Sequence, residues 1–201
     1  MKTISLVLGS GGARGYAHIG VIRAIEERGY EIKGIAGCSM GALVGGFYAA
    51  GKLDIFEEWV RSLSYLDVLK LVDLSFVSDG AIRGDKVFSL LSEMLNNTNI
   101  EDLNIPYTAV ATDLTHQKEV WFSSGPLEQA IRASCSIPSL VRPVIMGNRV
   151  LVDGGVLNPL PIAASIAVRA ERIFAVDLSA EVPLPPQSVK ESEAEKISHV
   201  R

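Results

Sequence analysis

The chain has 201 residues, 48% of them apolar and 21% charged, with a net charge of −4. That length allows one domain with a sizeable core and at most an appendage, and the composition is that of an ordinary globular protein. The acidic balance gives no general affinity for nucleic acid, so none is expected as a partner.

Taken in chain order, Ile4–Leu8 reads as a buried strand. The apolar stretch before Gly9 is too short for a signal peptide and has no small-residue cleavage site. Gly9–Gly15 reads as a loop. Tyr16–Arg28 has helical spacing at Ile19, Ile22 and Ile25, with Gly29 as the stop. Ile32–Ala36 is a second short strand and Ala42–Ala50 a small-residue helix. Strand, loop, helix and strand in this order imply a parallel sheet. Gly34–Gly51 carries no charge over 18 residues, near the length of a membrane span. Its glycines and serine fit a strand plus a buried helix better. Leu53–Leu74 reads as helical and Ser75–Gly84 as an irregular loop. Asp85–Leu95 reads as a helix with Asp85 as N-cap. Tyr107–Thr112 and Glu119–Phe122 read as strands around a polar turn at Asp113–Lys118. Pro126 opens a helix through Ala133. Val150–Val152 is a short strand, Pro159–Val168 a helix and Arg172–Leu178 a last strand. After Ser179 the chain turns proline-rich and charged, and Ser188–Glu191 has a capping-box pattern. Cys38 and Cys135 are too few for a disulfide framework and point to a reducing compartment. The expected location is cytoplasmic, with peripheral contact at the inner membrane face at most.

Twelve of the 18 glycines lie in the first 51 residues, and chemistry concentrates there. Gly37-Cys38-Ser39-Met40-Gly41 spells G-x-S-x-G between a strand and a helix. That is the setting of a nucleophile elbow, where the turn lifts a serine clear of the sheet. Gly37 and Gly41 are needed because a Cβ would clash in so cramped a turn. The competing reading is a glycine-rich turn with an incidental serine. Gly9–Gly15 also joins a strand to a helix, and its consecutive glycines can aim backbone N–H groups into one concavity. A dinucleotide fingerprint fails there, because Arg14 stands where the third glycine should be.

A serine nucleophile needs a base. His18 lies in the first helix, expected in polar surroundings near the loop, and is a helper at most. His116 sits on a hairpin tip and His199 in the charged tail. None has the late-loop setting of a triad histidine. Asp113, Asp153 and Asp177 each end an apolar strand, and position alone does not choose among them. An Asp-Gly turn is the plain reading of Asp153-Gly154.

As a set, Gly11-Gly12-Ala13-Arg14-Gly15, Gly37–Gly41 and Asp153-Gly154-Gly155 resemble the patatin-like phospholipase family. Arg132–Pro138 and Val152–Pro161 also read like segments of that family. The resemblance covers about Leu6 to Ile166, so 6–166 is expected to be the catalytic domain. Residues 167–201 would then hold the last strand and a tail, with a longer C-terminal region cut away as one option. The resemblance implies an α/β fold of three α/β/α layers with a mainly parallel central sheet. It implies a Ser39–Asp153 dyad without histidine and an oxyanion hole on Gly11, Gly12, Ala13, Arg14 and Gly15. It also implies hydrolysis of acyl esters of phospholipids or lysophospholipids, with no metal and no cofactor. Gly154 and Gly155 complete the motif around the base. Arg14 serves the loop's own structure or attracts an anionic head group. Met40, Leu140 and Val141 are candidates to line an acyl groove. A lipid or small ester is the expected partner, and the oligomeric state is left open. The alternative is a non-catalytic lipid-sensing or regulatory module of the same fold.

Overall fold

The computed structural model describes residues 2–63 and 80–180, side chains of 80–86 excepted. The expected helix beyond Leu63, the first half of the expected loop at 75–84, the Ser188 capping box and His199 lie outside the described residues, and the second half of that loop, 80–84, is helix instead.

Seven strands among the described residues form one sheet. They are β1 (Lys2–Leu8), β2 (Tyr30–Cys38), β3 (Tyr107–Asp113), β4 (Lys118–Phe122), β5 (Val144–Met146), β6 (Arg149–Asp153) and β7 (Arg172–Val176). The parallel part is β7-β1-β2-β3. Strands β4 and β6 both run antiparallel to β3, and β5 pairs antiparallel with β6. The sheet is therefore mixed, with a parallel half that joins the first three strands to the last one.

Five helices are described: α1 (Ala17–Glu27), α2 (Met40–Ala49), α3 (Leu53–Ser62), α4 (Gly80–Leu95) and α5 (Leu127–Ser134). Alternation along β1 sorts the two faces of the sheet. Ile4, Leu6 and Leu8 join the main core with Ile22 of α1, Phe47 of α2, Phe56 of α3, Leu95 of α4 and Ile131 of α5. Phe47 and Phe56 stack there with ring centroids 4.6 Å apart. Almost all of α2 is buried, as a helix apolar all round must be. That accounts for the charge-free stretch 34–51. Among the described residues no helix is long and apolar enough to cross a membrane. The opposite face carries a thinner third layer, in which Ala164 packs on Ala36 and Val110.

Three expectations are corrected. Pro159–Val168 is not a helix but a short 3-10 turn at Ile162–Ser165. Pro161 disfavours helical backbone before it, and the Ser165 hydroxyl donates to the Ile162 carbonyl at 2.8 Å, drawing the backbone into a local turn. Asp85 is not an N-cap, because α4 begins at Gly80 and runs through Gly84. A glycine inside a helix costs only about 1 kcal/mol, and packing of Leu91 and Leu95 against the core outweighs it. Part of the Gly9–Gly15 loop is itself a 3-10 turn, Gly12–Tyr16, that leads into α1.

One close approach sets the position of everything that follows. A Cβ on Gly41 would lie 2.1 Å from the Leu8 carbonyl oxygen, so only glycine lets the start of α2 abut the end of β1. Gly41→Ala is expected to cost about 1–3 kcal/mol by overpacking, or several degrees of melting temperature at ~2–4 °C per kcal/mol. Gly20 is the contrast. It is exposed within α1, and nothing lies within 4 Å of an added Cβ. Gly20→Ala should stabilise by about 0.5–1 kcal/mol. Thermal unfolding of the two variants checks both signs.

Candidate active site

Ser39 lies at the junction of β2 and α2 with φ 56° and ψ −125°. For a residue with a Cβ this backbone costs about 1–3 kcal/mol and persists only where the surroundings over-determine it. Gly37 and Gly41 permit the turn, since a Cβ on Gly37 would sit 2.5 Å from the Gly41 carbonyl oxygen.

Asp153 reaches this turn through strand pairing. Cys38, the last residue of β2, pairs with Val110 of β3. Asp153, the last residue of β6, pairs with Ala111, the next residue of β3. Strand β4 pairs with both Val110 and Ala111, so it holds the other edge of β3. Strands β2 and β6 therefore share one edge end to end, and Ser39 and Asp153 meet where one gives way to the other. Gly154 makes the junction possible, because a Cβ there would stand 2.2 Å from the Val110 carbonyl oxygen.

Ser39 and Asp153 are both buried. Oδ1 of Asp153 accepts the Gly155 N–H at 2.7 Å, while Oδ2 is buried with no hydrogen-bond partner within the described residues. Burial raises the Asp153 pKa above the ordinary aspartate value, and the Ser39 hydroxyl and Gly155 N–H offset part of that rise. The serine is thus near enough to act on the carboxyl, yet no closed hydrogen bond joins the pair. Catalytic contacts are often open in this way until substrate is bound.

The glycine loop forms the facing wall. Gly15 abuts the elbow, since a Cβ there would meet the Met40 Cβ at 2.2 Å. The Arg14 N–H is spent on the Gly11 carbonyl at 3.0 Å. Gly12 and Ala13 border the same cavity as Ser39. As the first residues of a 3-10 turn their N–H groups have no partner inside it. This cavity measures about 140 Å³ and is mostly apolar. Met40, Leu140 and Val141, the groove candidates, all line it. So do Trp59 of α3 and Phe88 and Leu91 of α4, which sequence reading left in ordinary amphipathic helices. No local signal marks them, because they reach the site only through tertiary packing, α3 against α2 and α4 against α5.

The remaining candidates lie elsewhere. His18 is fully buried rather than in polar surroundings. Its Nε2 lies 2.8 Å from the Gly9 carbonyl oxygen, so Nε2 carries the proton and donates. Burial depresses its pKa, partly countered by the Gly9 bond, and the ring is neutral at pH 7. His116 Nδ1 is bonded to Asp113 at 2.7 Å, and Asp113 Oδ1 accepts the Thr115 and His116 N–H groups. Asp177 accepts the Ser179 N–H at 2.8 Å. Asp113 and Asp177 are therefore engaged in their own turns. Cys38 and Cys135 are free, and burial with the Asp153 charge pushes both thiols up in pKa. Neither is a thiolate nucleophile. Among the described residues no three His, Cys, Asp or Glu side chains group to hold a metal.

Comparison with known proteins identifies the family of the chain. The patatin-like phospholipase family model matches residues 6–166. An uncharacterised NTE family protein of Mycobacterium tuberculosis is 52% identical over 88% of this chain and 49% of its own length. A lysophospholipase NTE1 of Mycosarcoma maydis is 35% identical over 88% of this chain and 10% of its own. A patatin-like phospholipase domain-containing protein of Caenorhabditis elegans is 34% identical over 88% of this chain and 14% of its own. The chain thus spans about half the length of its mycobacterial relative and a small part of the others. On the match over residues 6–166, the chain belongs to the patatin-like phospholipase family.

Proposed function

We propose that this chain is a lipid acyl hydrolase that cleaves carboxylic esters of phospholipids or lysophospholipids through Ser39 and Asp153. The observation that carries this is the meeting of a strained serine with a buried carboxylate whose Oδ2 has no partner, beside an apolar cavity. Family membership and the lysophospholipase names of fungal relatives support the substrate class.

In this reading Asp153 Oδ2 takes the Ser39 proton as Oγ attacks the ester carbonyl. The Gly12 and Ala13 N–H groups stabilise the oxyanion, each worth about 3–4 kcal/mol in comparable sites. Gly11 and Gly15 shape the loop, and the Arg14 side chain is left to the loop's surface. The protonated Asp153 gives its proton to the leaving alcohol as the C–O bond breaks. Water then attacks the acyl-enzyme, Asp153 takes its proton, and Ser39 leaves with that proton restored. The burial that raises the pKa of Asp153 makes it a stronger base than a solvated aspartate. Substrate is taken as a monomer or from a membrane surface by peripheral contact.

Ser39→Ala should abolish ester hydrolysis and fluorophosphonate labelling while the fold stays intact. Asp153→Asn should lose activity by orders of magnitude, because an amide cannot accept the proton. His18→Gln, His116→Gln and His199→Gln should each keep most activity. A histidine change as severe as Asp153→Asn would replace the dyad with a triad.

The pH profile has a definite sign. Asp153 works ionised, and its pKa is raised, so kcat/KM should fall as pH drops through a limb above the ordinary aspartate value. A limb that vanishes with a histidine substitution would contradict this.

Chain length gives a further test. A cavity of about 140 Å³ is close to one that accommodates benzene, or roughly six carbons. Across p-nitrophenyl esters kcat/KM should climb to about the hexanoyl ester and then flatten. A steady climb through long chains would show a deeper groove.

A further inference from the structure

We infer that Ser134-Cys135-Ser136, at the end of α5, is the positioning element that holds Ser39 and Asp153 against each other. The inference rests on the Ser–Asp reading above. Each of the three residues makes one contact to the pair, and no two of these contacts duplicate each other.

The fully buried Ser134 hydroxyl accepts the Ser39 N–H at 2.9 Å and donates to the Val110 carbonyl at 2.6 Å. It ties the elbow to β3 at the residue that pairs with Cys38 and approaches Gly154. The Cys135 thiol donates to the Ser39 carbonyl oxygen at 3.2 Å. Ser39 is therefore gripped on both sides of its strained backbone. The Ser136 carbonyl accepts the Asp153 N–H at 2.9 Å. The gripping segment is itself pinned to α5. The Cys135 N–H donates to the Ile131 carbonyl at 2.9 Å, and the Ser136 hydroxyl donates to the Arg132 carbonyl at 2.8 Å.

This answers a requirement the pairing of strands leaves open. β2 and β6 share an edge of β3, but no ladder joins the end of one to the end of the other. Their relative position would depend on β3 alone. The 134–136 segment supplies the missing cross-link, from a rigid helix end. It also occupies the Ser39 N–H, which removes that donor from the groups that can hold an oxyanion.

The test compares Ser134→Ala and Ser134→Cys with Ser165→Ala. Ser165 is equally buried, and its hydroxyl donates only to the Ile162 carbonyl at 2.8 Å. It controls for the loss of one buried hydroxyl away from the site. Ser134→Ala should lower kcat and the fluorophosphonate labelling rate constant about 10–100-fold, the scale of a misplacement near 1 Å. KM should change much less, because the acyl cavity is untouched. The acid limb of kcat/KM should move to higher pH, since an Asp153 parted from the Ser39 hydroxyl loses a contact that lowers its pKa. Ser134→Cys keeps the volume and a weak donor and acceptor and should fall between. Ser165→Ala should leave rate and limb unchanged.

Wild-type kcat and limb in Ser134→Ala would overturn the inference. So would equal losses in Ser134→Ala and Ser165→Ala at equal stability. If Ser134→Ala does not fold, Ser134→Cys decides alone, and an unshifted limb with an undiminished rate would overturn the inference. Ser39→Ala and Asp153→Asn run alongside. If both are inactive while Ser134→Ala behaves as wild type, only the positioning role fails. If Ser39→Ala remains active, the hydrolase reading fails with it.

Discussion

Strand β3 offers one edge to two partners in succession, and the site depends on that sharing. β2 occupies the edge as far as Val110 and β6 takes over at Ala111. The last residue of β2 precedes Ser39, and the last residue of β6 is Asp153. Two residues 114 positions apart in sequence are thus brought together by backbone hydrogen bonds rather than by flexible loops. The arrangement demands a glycine wherever backbones cross: Gly41 against Leu8, Gly37 within the elbow and Gly154 against Val110. A Cβ at any of them would push apart the elements that carry Ser39 and Asp153.

Burial then gives the carboxyl its chemical character. Asp153 keeps one oxygen tied to the Gly155 N–H and the other without a partner. A buried acceptor left open is costly, by about 1–3 kcal/mol or more. Such a cost fits a group kept ready for a proton, and it is relieved when the proton arrives. The same burial silences the neighbouring thiols, whose pKa values rise. One environment therefore favours the Ser39 hydroxyl over Cys38 and Cys135 as the reacting group.

Much of the fold was legible in the sequence because its signals are local. The alternation in β1, the helical spacing of Ile19, Ile22 and Ile25, and the stop at Gly29 all act within a few residues. The elbow was legible because its glycines answer a local steric demand. Asp153 was not selected by position, since Asp113 and Asp177 end strands equally well. What separates them is pairing register along β3, a long-range property, and only the resemblance to a family singled out Asp153. Strand β5 was missed although Gly147-Asn148 is a hairpin signal, and Gly147 has φ 61°. The Pro159–Val168 helix was over-read, because helical spacing there competes with prolines and with a flat seat on the sheet. The role of Ser134–Ser136 had no local signature, since its partners are 24, 95 and 96 residues away for the first two residues.

The central claim is spatial: Ser39, Asp153 and the Gly12–Ala13 N–H groups converge on one reacting carbonyl. A crystal structure of the fluorophosphonate adduct tests it most directly, because the adduct mimics the tetrahedral intermediate. The account predicts phosphorus on Ser39 Oγ and a phosphoryl oxygen about 2.7–3.1 Å from the Gly12 and Ala13 nitrogens. It also predicts an Asp153 oxygen within reach of Oγ and the alkyl group in the cavity bounded by Met40 and Leu140. An adduct on another residue, or a phosphoryl oxygen turned away from the glycine loop, would contradict it.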